Sequence, residues 1–214
     1  MVRCAVGAYD LFSNFYDASL ERLYAEHRRL AVQALRLRPG AVVLDVPCGT
    51  GQSFDALSHA TGVQGLLLGV DASEGMLRRA RQRAAARSLT TVRVVTADAA
   101  QLTQADLDAA AGRSVSVSHL HVFLGMSVFS AMESTFQHLW SLLAPGGRCV
   151  LVDVHAPRLG LQGWLVNKLA RAEIRRRFWE PLELSARDFQ RSDLPFRAQH
   201  GGQIMLATGK KPEP

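Results

Sequence analysis

Short apolar runs alternate with stretches of helical periodicity along most of this chain. The runs cover Ala41–Val46, Gly65–Val70, Thr91–Thr96, Ser114–Leu120 and Gly147–Val154. Their length suits strands, and their continuity suits strands buried on both faces. Helix-like segments fall between them at about Thr50–Ala60, Ser73–Arg87 and Phe129–Leu143, the last closed by Pro145-Gly146-Gly147. Such alternation predicts an α/β fold in which a mostly parallel sheet carries helices on both faces. Ahead of the first run, Ser19–Leu37 places Leu20, Leu23, Tyr24, Leu30 and Leu35 along an amphipathic helix that Pro39-Gly40 ends. After the fifth run comes a helix over about Leu161–Phe178. Phe196–His200 and Gln203–Thr208 then flank Gly201-Gly202 and read as an antiparallel hairpin.

No repeat, low-complexity linker or break in composition divides the chain. A single domain over residues 1–214 is expected, with an N-terminal lid and helix in 1–40, a ligand-binding core in 41–155, and a cover helix with the hairpin in 156–214. With 48% apolar and 21% charged residues the chain has the balance of a folded globule. No apolar run approaches the ~18–20 residues of a bilayer span, and the first residues lack the apolar stretch of a signal peptide, so a cytoplasmic location is expected. The three cysteines, Cys4, Cys48 and Cys149, are an odd set without C-x-x-C spacing, which excludes a disulfide framework. Of the 25 cations behind the net charge of +6, only Lys168, Lys210 and Lys211 are not Arg. The densest Arg clusters, 78–83 and 175–177, are short and fall on expected helices, so they read as solvated faces. Nucleic acid is therefore not an expected partner.

Chemistry enters with three carboxylates. Asp45, Asp71 and Asp98 each close an expected strand and lie 26 and 27 residues apart, about the length of one strand, one helix and two short connections. The carboxyl ends of parallel strands line the ligand crevice of such a sheet, so the three acids are expected at one site. The first opens Asp45-Val46-Pro47-Cys48-Gly49-Thr50-Gly51, whose glycines let a ligand approach the backbone. A dinucleotide fingerprint would need a third glycine where Phe54 stands, and it would set the Asp45 carboxylate against a pyrophosphate. S-adenosylmethionine carries a sulfonium and an ammonium group instead, which an acid attracts. Asp71 stands where a carboxylate accepts both hydroxyls of a ribose, and Asp98 can accept from an adenine amino group.

These segments resemble a class I S-adenosylmethionine-dependent methyltransferase of the small-molecule type. The similarity runs from about Leu37 to Val154 through LDVPCGTG at 44–51, GVDASEGML at 69–77, TADAAQL at 96–102 and LLAPGGRCVLVDV at 142–154. The resemblance implies a seven-stranded sheet with an antiparallel last strand, in keeping with the hairpin. It also implies a cofactor site built from Asp45, Pro47, Cys48, Gly49, Gly51, Asp71, Ala72, Met76, Asp98, Ala99 and His119. Phe15-Tyr16-Asp17 resembles the lid segment of such enzymes, which adds Tyr16 to that set.

Methyl transfer from a sulfonium is an in-line displacement, and a base is needed only when the acceptor bears a proton. His119 and His121 share a face of the fourth strand and His155 follows the fifth, so the three are candidate bases at one crevice edge, with His121 expected to affect turnover more than cofactor affinity. The same trio with Asp153 offers a single oxygen ligand, so no metal is expected. In the segment after the fifth strand, Lys168, Arg171 and Arg175 flank an apolar stripe of Leu161, Leu165, Leu169 and Ala172. The stripe suits a lid helix, and the cations suit an anionic substrate group or peripheral contact with an acidic lipid surface. The acceptor is expected to be a small metabolite or lipid-like molecule, methylated on nitrogen, oxygen or carbon. The alternatives are a nucleic-acid methyltransferase and a cofactor-binding module without catalysis.

Overall fold

Five parallel strands bring their carboxyl ends to one edge of a seven-stranded sheet. The computed structural model describes residues 6–158, 160–170, 172–195 and 201–213, and among these the side chains of 6–20, 162, 165, 166, 169 and 170 lie outside the description. The strands are β1 (Val42–Asp45), β2 (Leu66–Asp71), β3 (Val92–Thr96), β4 (Val117–Phe123), β5 (Leu143–His155), β6 (Arg187–Asp193) and β7 (Gln203–Lys210). Their order across the sheet is β3-β2-β1-β4-β5-β7-β6. The first five pair in parallel, whereas β7 runs antiparallel to both β5 and β6. The chain builds outward from β1 to β3 and then returns to lay β4 on the other side of β1. The crevice of such a sheet opens at that reversal, beyond the ends of β1 and β4.

Among the described residues, seven helices accompany the strands: α1 (Val6–Leu35), α2 (Phe54–Thr61), α3 (Glu74–Ala86), α4 (Gln104–Ala111), α5 (Met132–Leu142), α6 (Leu161–Ala170) and α7 (Glu180–Ser185). Alternate strand residues point into two cores. On one face Val43, Leu67, Val150 and Val152 pack with Leu35, Phe54, Leu57 and Leu77 of α1, α2 and α3. On the other, Leu44, Leu68, Leu120 and Leu151 pack with Leu107, Phe136, Leu139 and Leu182 of α4, α5 and α7. This double burial explains why the strands read as unbroken apolar runs. None of the described helices is long and apolar enough to cross a membrane.

The expected strands and helices of the core occur with boundaries shifted by a few residues, and four features differ. Helix α1 begins at Val6, well ahead of the expected Ser19, and runs through the Phe15-Tyr16-Asp17 segment. Helix α4 is additional. Its start is set by a capping box in which Thr103 accepts from the Asp106 amide while the Asp106 carboxylate accepts from the Thr103 amide, and Gly112 ends it at φ 68°. The helix expected over Leu161–Phe178 stops at Ala170, and a short α7 follows. Strand β6 lies at Arg187–Asp193, and the strand expected at Phe196–His200 falls outside the described residues. As an edge strand exposed along most of its length, β6 carries charges that no apolar pattern announces.

Candidate active site

The last residue of β1 is held by its neighbour in the sheet. Asp45 pairs with His121 across β1 and β4, and the His121 Nδ1–H donates to Asp45 Oδ1 at 2.7 Å. Asp45 is 2% exposed and His121 is fully buried. The second carboxylate oxygen of Asp45 and Nε2 of His121 are buried with no hydrogen-bond partner among the described residues. After Asp45 the Val46–Pro47 peptide is cis. The Cys48 amide then donates to the Val70 carbonyl at 2.8 Å, which ties the loop to β2.

Asp71, the last residue of β2, fastens the glycine loop. Its Oδ2 accepts from the Gly49 amide and its Oδ1 from the Ser73 amide, each at 2.9 Å. Burial pushes its carboxyl up, the Ser73 and Gly49 amides pull it back, and the charge of Asp45 adds to the rise. Gly49 has φ +55°, and a Cβ built there would meet nothing within 4 Å. At Gly51, φ +76°, a Cβ would fall 2.6 Å from the Phe54 ring. Only glycine suits both positions, for backbone conformation at the first and for close packing as well at the second. Asp98, beyond β3, is exposed and accepts from the Ala100 amide at 2.9 Å.

These ends border one cavity of about 550 Å³. Of the residues expected at the cofactor site, Asp45, Pro47, Cys48, Gly49, Asp71, Ala72, Met76, Asp98 and Ala99 line it. Gly51 lies behind the loop against Phe54, and the Tyr16 side chain lies outside the described residues. The Cys48 thiol is pushed well above its ordinary range, first by burial and then by the charges of Asp45 and Asp71, so it is a packing group and not a nucleophile.

The three histidines do not meet at one crevice edge. His119 and His121 share the α1 face, but His119 sits two residues deeper along β4, level with Val43 and Arg148. There its Nδ1 lies 2.8 Å from Ser118 Oγ, and burial aided by the Arg148 charge holds the imidazole down to about 4. His155 faces the opposite side, edge-on to Trp179 with centroids 4.9 Å apart, and its Nδ1–H donates to the Arg176 carbonyl at 3.2 Å. None of the three lines the cavity, and His121 stands behind two residues that do, Asp45 and Phe123. Among the described residues no group of three or more His, Cys, Asp or Glu side chains could hold a metal ion.

Other cavity residues went unannounced by motif. Helix α1 contributes Leu23, Tyr24 and Arg28, the last over the Phe123 ring at 5.0 Å. The end of β4 contributes Phe123, the segment after it Leu124, Ser127, Val128 and Phe129, and Asp153, Val154 and Ile174 also line the cavity. Asp153 is 1% exposed; its Oδ2 accepts from the Ser127 amide at 2.8 Å, and its Oδ1 accepts from Ser127 Oγ at 2.9 Å and from the Val154 amide at 2.7 Å. Burial pushes its carboxyl up to about 6 against the pull of those donors. The available signal was a single carboxylate inside an otherwise apolar run.

Residues 43–147 match the family described as a methyltransferase domain. The chain is 28% identical over 153 residues to a demethylmenaquinone methyltransferase of Staphylococcus epidermidis, an alignment covering 72% of this chain and 58% of that protein. The chain thus spans less than two thirds of that relative's length. Among solved structures, the [4+2]-cyclase SpnF superposes with a TM-score of 0.74 at 17% identity, over 98% of this chain and 95% of that one. Geranyl diphosphate C-methyltransferase from Streptomyces coelicolor superposes with a TM-score of 0.71 at 15% identity, over 89% and 78%. A cyclase and a methyltransferase on one architecture show that such likeness carries fold alone. Residues 43–147, just under half of the chain, are thus similar to a methyltransferase domain, and they carry the motifs in order together with the acids that border the crevice.

Proposed function

We propose that this protein transfers the methyl group of S-adenosylmethionine to a small, lipid-like acceptor. The observation that carries the reading is the division of one cavity into two chemistries. Asp45, Asp71 and Asp98 stand at one end, and Phe123, Leu124, Val128, Phe129, Val154 and Ile174 at the other. The acid end fits the cofactor. The unpartnered Asp45 oxygen can accept from the methionine ammonium, and the Asp71 carboxylate, held by the Gly49 and Ser73 amides, keeps acceptor capacity for the ribose hydroxyls. Asp98 stands by for the adenine amino group, and the open space beside Gly49 lets a ligand lie on the backbone. When bound, the cofactor supplies an electrophilic methyl group on a positively charged sulfur. The protein's part is to orient the acceptor and exclude water.

The apolar end suits a ring or chain without charge, a chemistry in keeping with the name of the Staphylococcus epidermidis relative, a demethylmenaquinone methyltransferase. Helix α6 supports contact with a lipid surface. Leu161 is 77% and Trp164 48% exposed, and Lys168 Nζ sits 4.8 Å from the Trp164 ring centroid. A polynucleotide finds less to hold, because Arg81, Arg83, Arg175 and Arg177 are each engaged by a carboxylate of this chain. Incubating the purified protein with methyl-labelled S-adenosylmethionine, a membrane-lipid extract and bulk RNA tests the reading by mass spectrometry. Label is expected in an extractable prenylated ring or similar lipid-like compound. Label confined to RNA, or to water-soluble polyanions, overturns the acceptor class.

A further inference from the structure

Two of the polar side chains that line the cavity beside its apolar residues are bonded to each other. The Ser127 amide and hydroxyl both donate to the Asp153 carboxylate, so the Ser127 hydroxyl hydrogen is committed and its oxygen meets a ligand as a hydrogen-bond acceptor. Both side chains line the cavity, both are buried, and Val128, Phe129, Leu124 and Ile174 stand around them. A ligand that fills this end without offering a donor leaves the Ser127 oxygen unmatched.

We propose that Ser127 and Asp153 form a proton-accepting relay that selects an acceptor bearing a hydroxyl on an apolar ring and takes up that hydroxyl's proton. The proton passes from the acceptor O–H to Ser127 Oγ as the Ser127 hydroxyl proton passes to Asp153 Oδ1. The acceptor oxygen keeps the electron pair of its broken O–H bond, and Asp153 ends neutral. The new oxyanion then bonds the methyl group of the sulfonium donor, whose carbon–sulfur pair stays on sulfur.

Burial supports the same assignment, because a carboxyl raised to about 6 is a better base near neutral pH than an ordinary aspartate and still ionised there. The histidines do not compete for the role, since none lines the cavity.

This inference rests on the methyltransferase reading, and its test separates the two. Calorimetry with S-adenosylhomocysteine first measures cofactor-site binding in the wild type and in Ser127→Ala. Absence of binding in the wild type counts against the methyltransferase reading itself. With that ligand bound, 1-naphthol and 1-methoxynaphthalene, alike except that a methyl group replaces the hydroxyl hydrogen, are titrated as probes. The wild type should bind 1-naphthol at least tenfold more tightly. Ser127→Ala, which keeps the backbone donors to Asp153, should lose that preference while S-adenosylhomocysteine affinity changes less than twofold. Asp153→Asn should lose it as well, but the carboxamide can disturb the loop, so Ser127→Ala decides. Equal affinities for the two probes in the wild type, binding of neither, or an undiminished preference in Ser127→Ala overturns the relay and leaves the methyltransferase reading standing.

Discussion

His121 donates to Asp45 across the β1–β4 seam, 2.7 Å from Nδ1 to Oδ1, with both side chains out of water. The bond fixes the orientation of a carboxylate whose other oxygen has no partner among the described residues, so the histidine acts on the cavity through the acid it holds. Removing one partner of a buried pair leaves the other uncompensated, a loss on the order of 3–5 kcal/mol. His121→Phe should therefore lower the urea midpoint markedly and weaken S-adenosylhomocysteine binding with it. His121→Asn, whose amide nitrogen can stand near the Nδ1 position, should lose less of both. The sequence-based expectation that His121 affects turnover more than cofactor affinity and this buried geometry therefore differ in what they predict for the variant. A His121→Phe protein with wild-type cofactor affinity and lowered turnover would restore the catalytic assignment.

Asp71 has two tasks, since it holds the Gly49 and Ser73 amides and faces the cavity with the same oxygens. Replacing it by Ala removes two charge-assisted bonds within the protein as well as those to a ribose, each on the order of 1.5–3 kcal/mol before water compensates. Calorimetry on Asp71→Ala should show at least a tenfold loss of S-adenosylhomocysteine affinity. Asp98→Ala should lose less, because that carboxylate is exposed and anchors a single amide in its own turn. The opposite ranking would remove the ribose from Asp71.

Gly69 lies in β2 directly under the cofactor loop. A Cβ there would stand 2.6 Å from Cζ of the buried Phe54 and 3.3 Å from Cys48 Sγ. Overpacking of this kind costs about 1–3 kcal/mol. Gly69→Ala should lower the unfolding midpoint and reduce cofactor affinity together, because Phe54 and Cys48 belong to the segment that carries Gly49. Gly112→Ala, at a helix end with open space around the added atom, should affect stability alone.

Two buried groups set opposing pH dependences. Asp153 titrates at about 6 in the folded protein against 3.8 ordinarily, because burial disfavours its charge. Between those values the folded state holds a proton that the unfolded chain has released, so this group's contribution to stability falls as pH rises. His119 is held down to about 4 from 6.5, chiefly by burial, so the unfolded chain takes up its proton first and stability falls as pH drops through that window. Urea midpoints measured from pH 4 to 6.5 should show a steeper loss on acidification in Asp153→Asn and a shallower one in His119→Gln. Parallel curves for all three proteins would contradict both assignments.

The sheet and its acid-bearing edge were legible because each rests on local sequence. Buried parallel strands read as apolar runs, and the even spacing of Asp45, Asp71 and Asp98 marks three successive turns at one edge. Strand β6 was illegible for the converse reason, since an exposed edge strand needs no apolar residues. Helix α4 was missed because an Asp at 106 closes a box usually signalled by Glu or Gln. The histidines misled because strand periodicity gives the face of a side chain but not its depth, and two residues along β4 separate His119 from the level of Asp45. Ser127 and Asp153 come together across 26 positions of chain, through a pairing of loop and strand that no local pattern encodes.

The central claim is that one cavity joins a sulfonium cofactor to an apolar, lipid-like acceptor. Its most direct measurement is a single-turnover assay with methyl-labelled S-adenosylmethionine, the membrane-lipid extract and RNA in one reaction, run at low and at high salt. Label is expected in the lipid fraction at rates that change little with salt, because a buried uncharged acceptor releases no counterions. Label in RNA alone, at a rate falling steeply as salt rises, would contradict it.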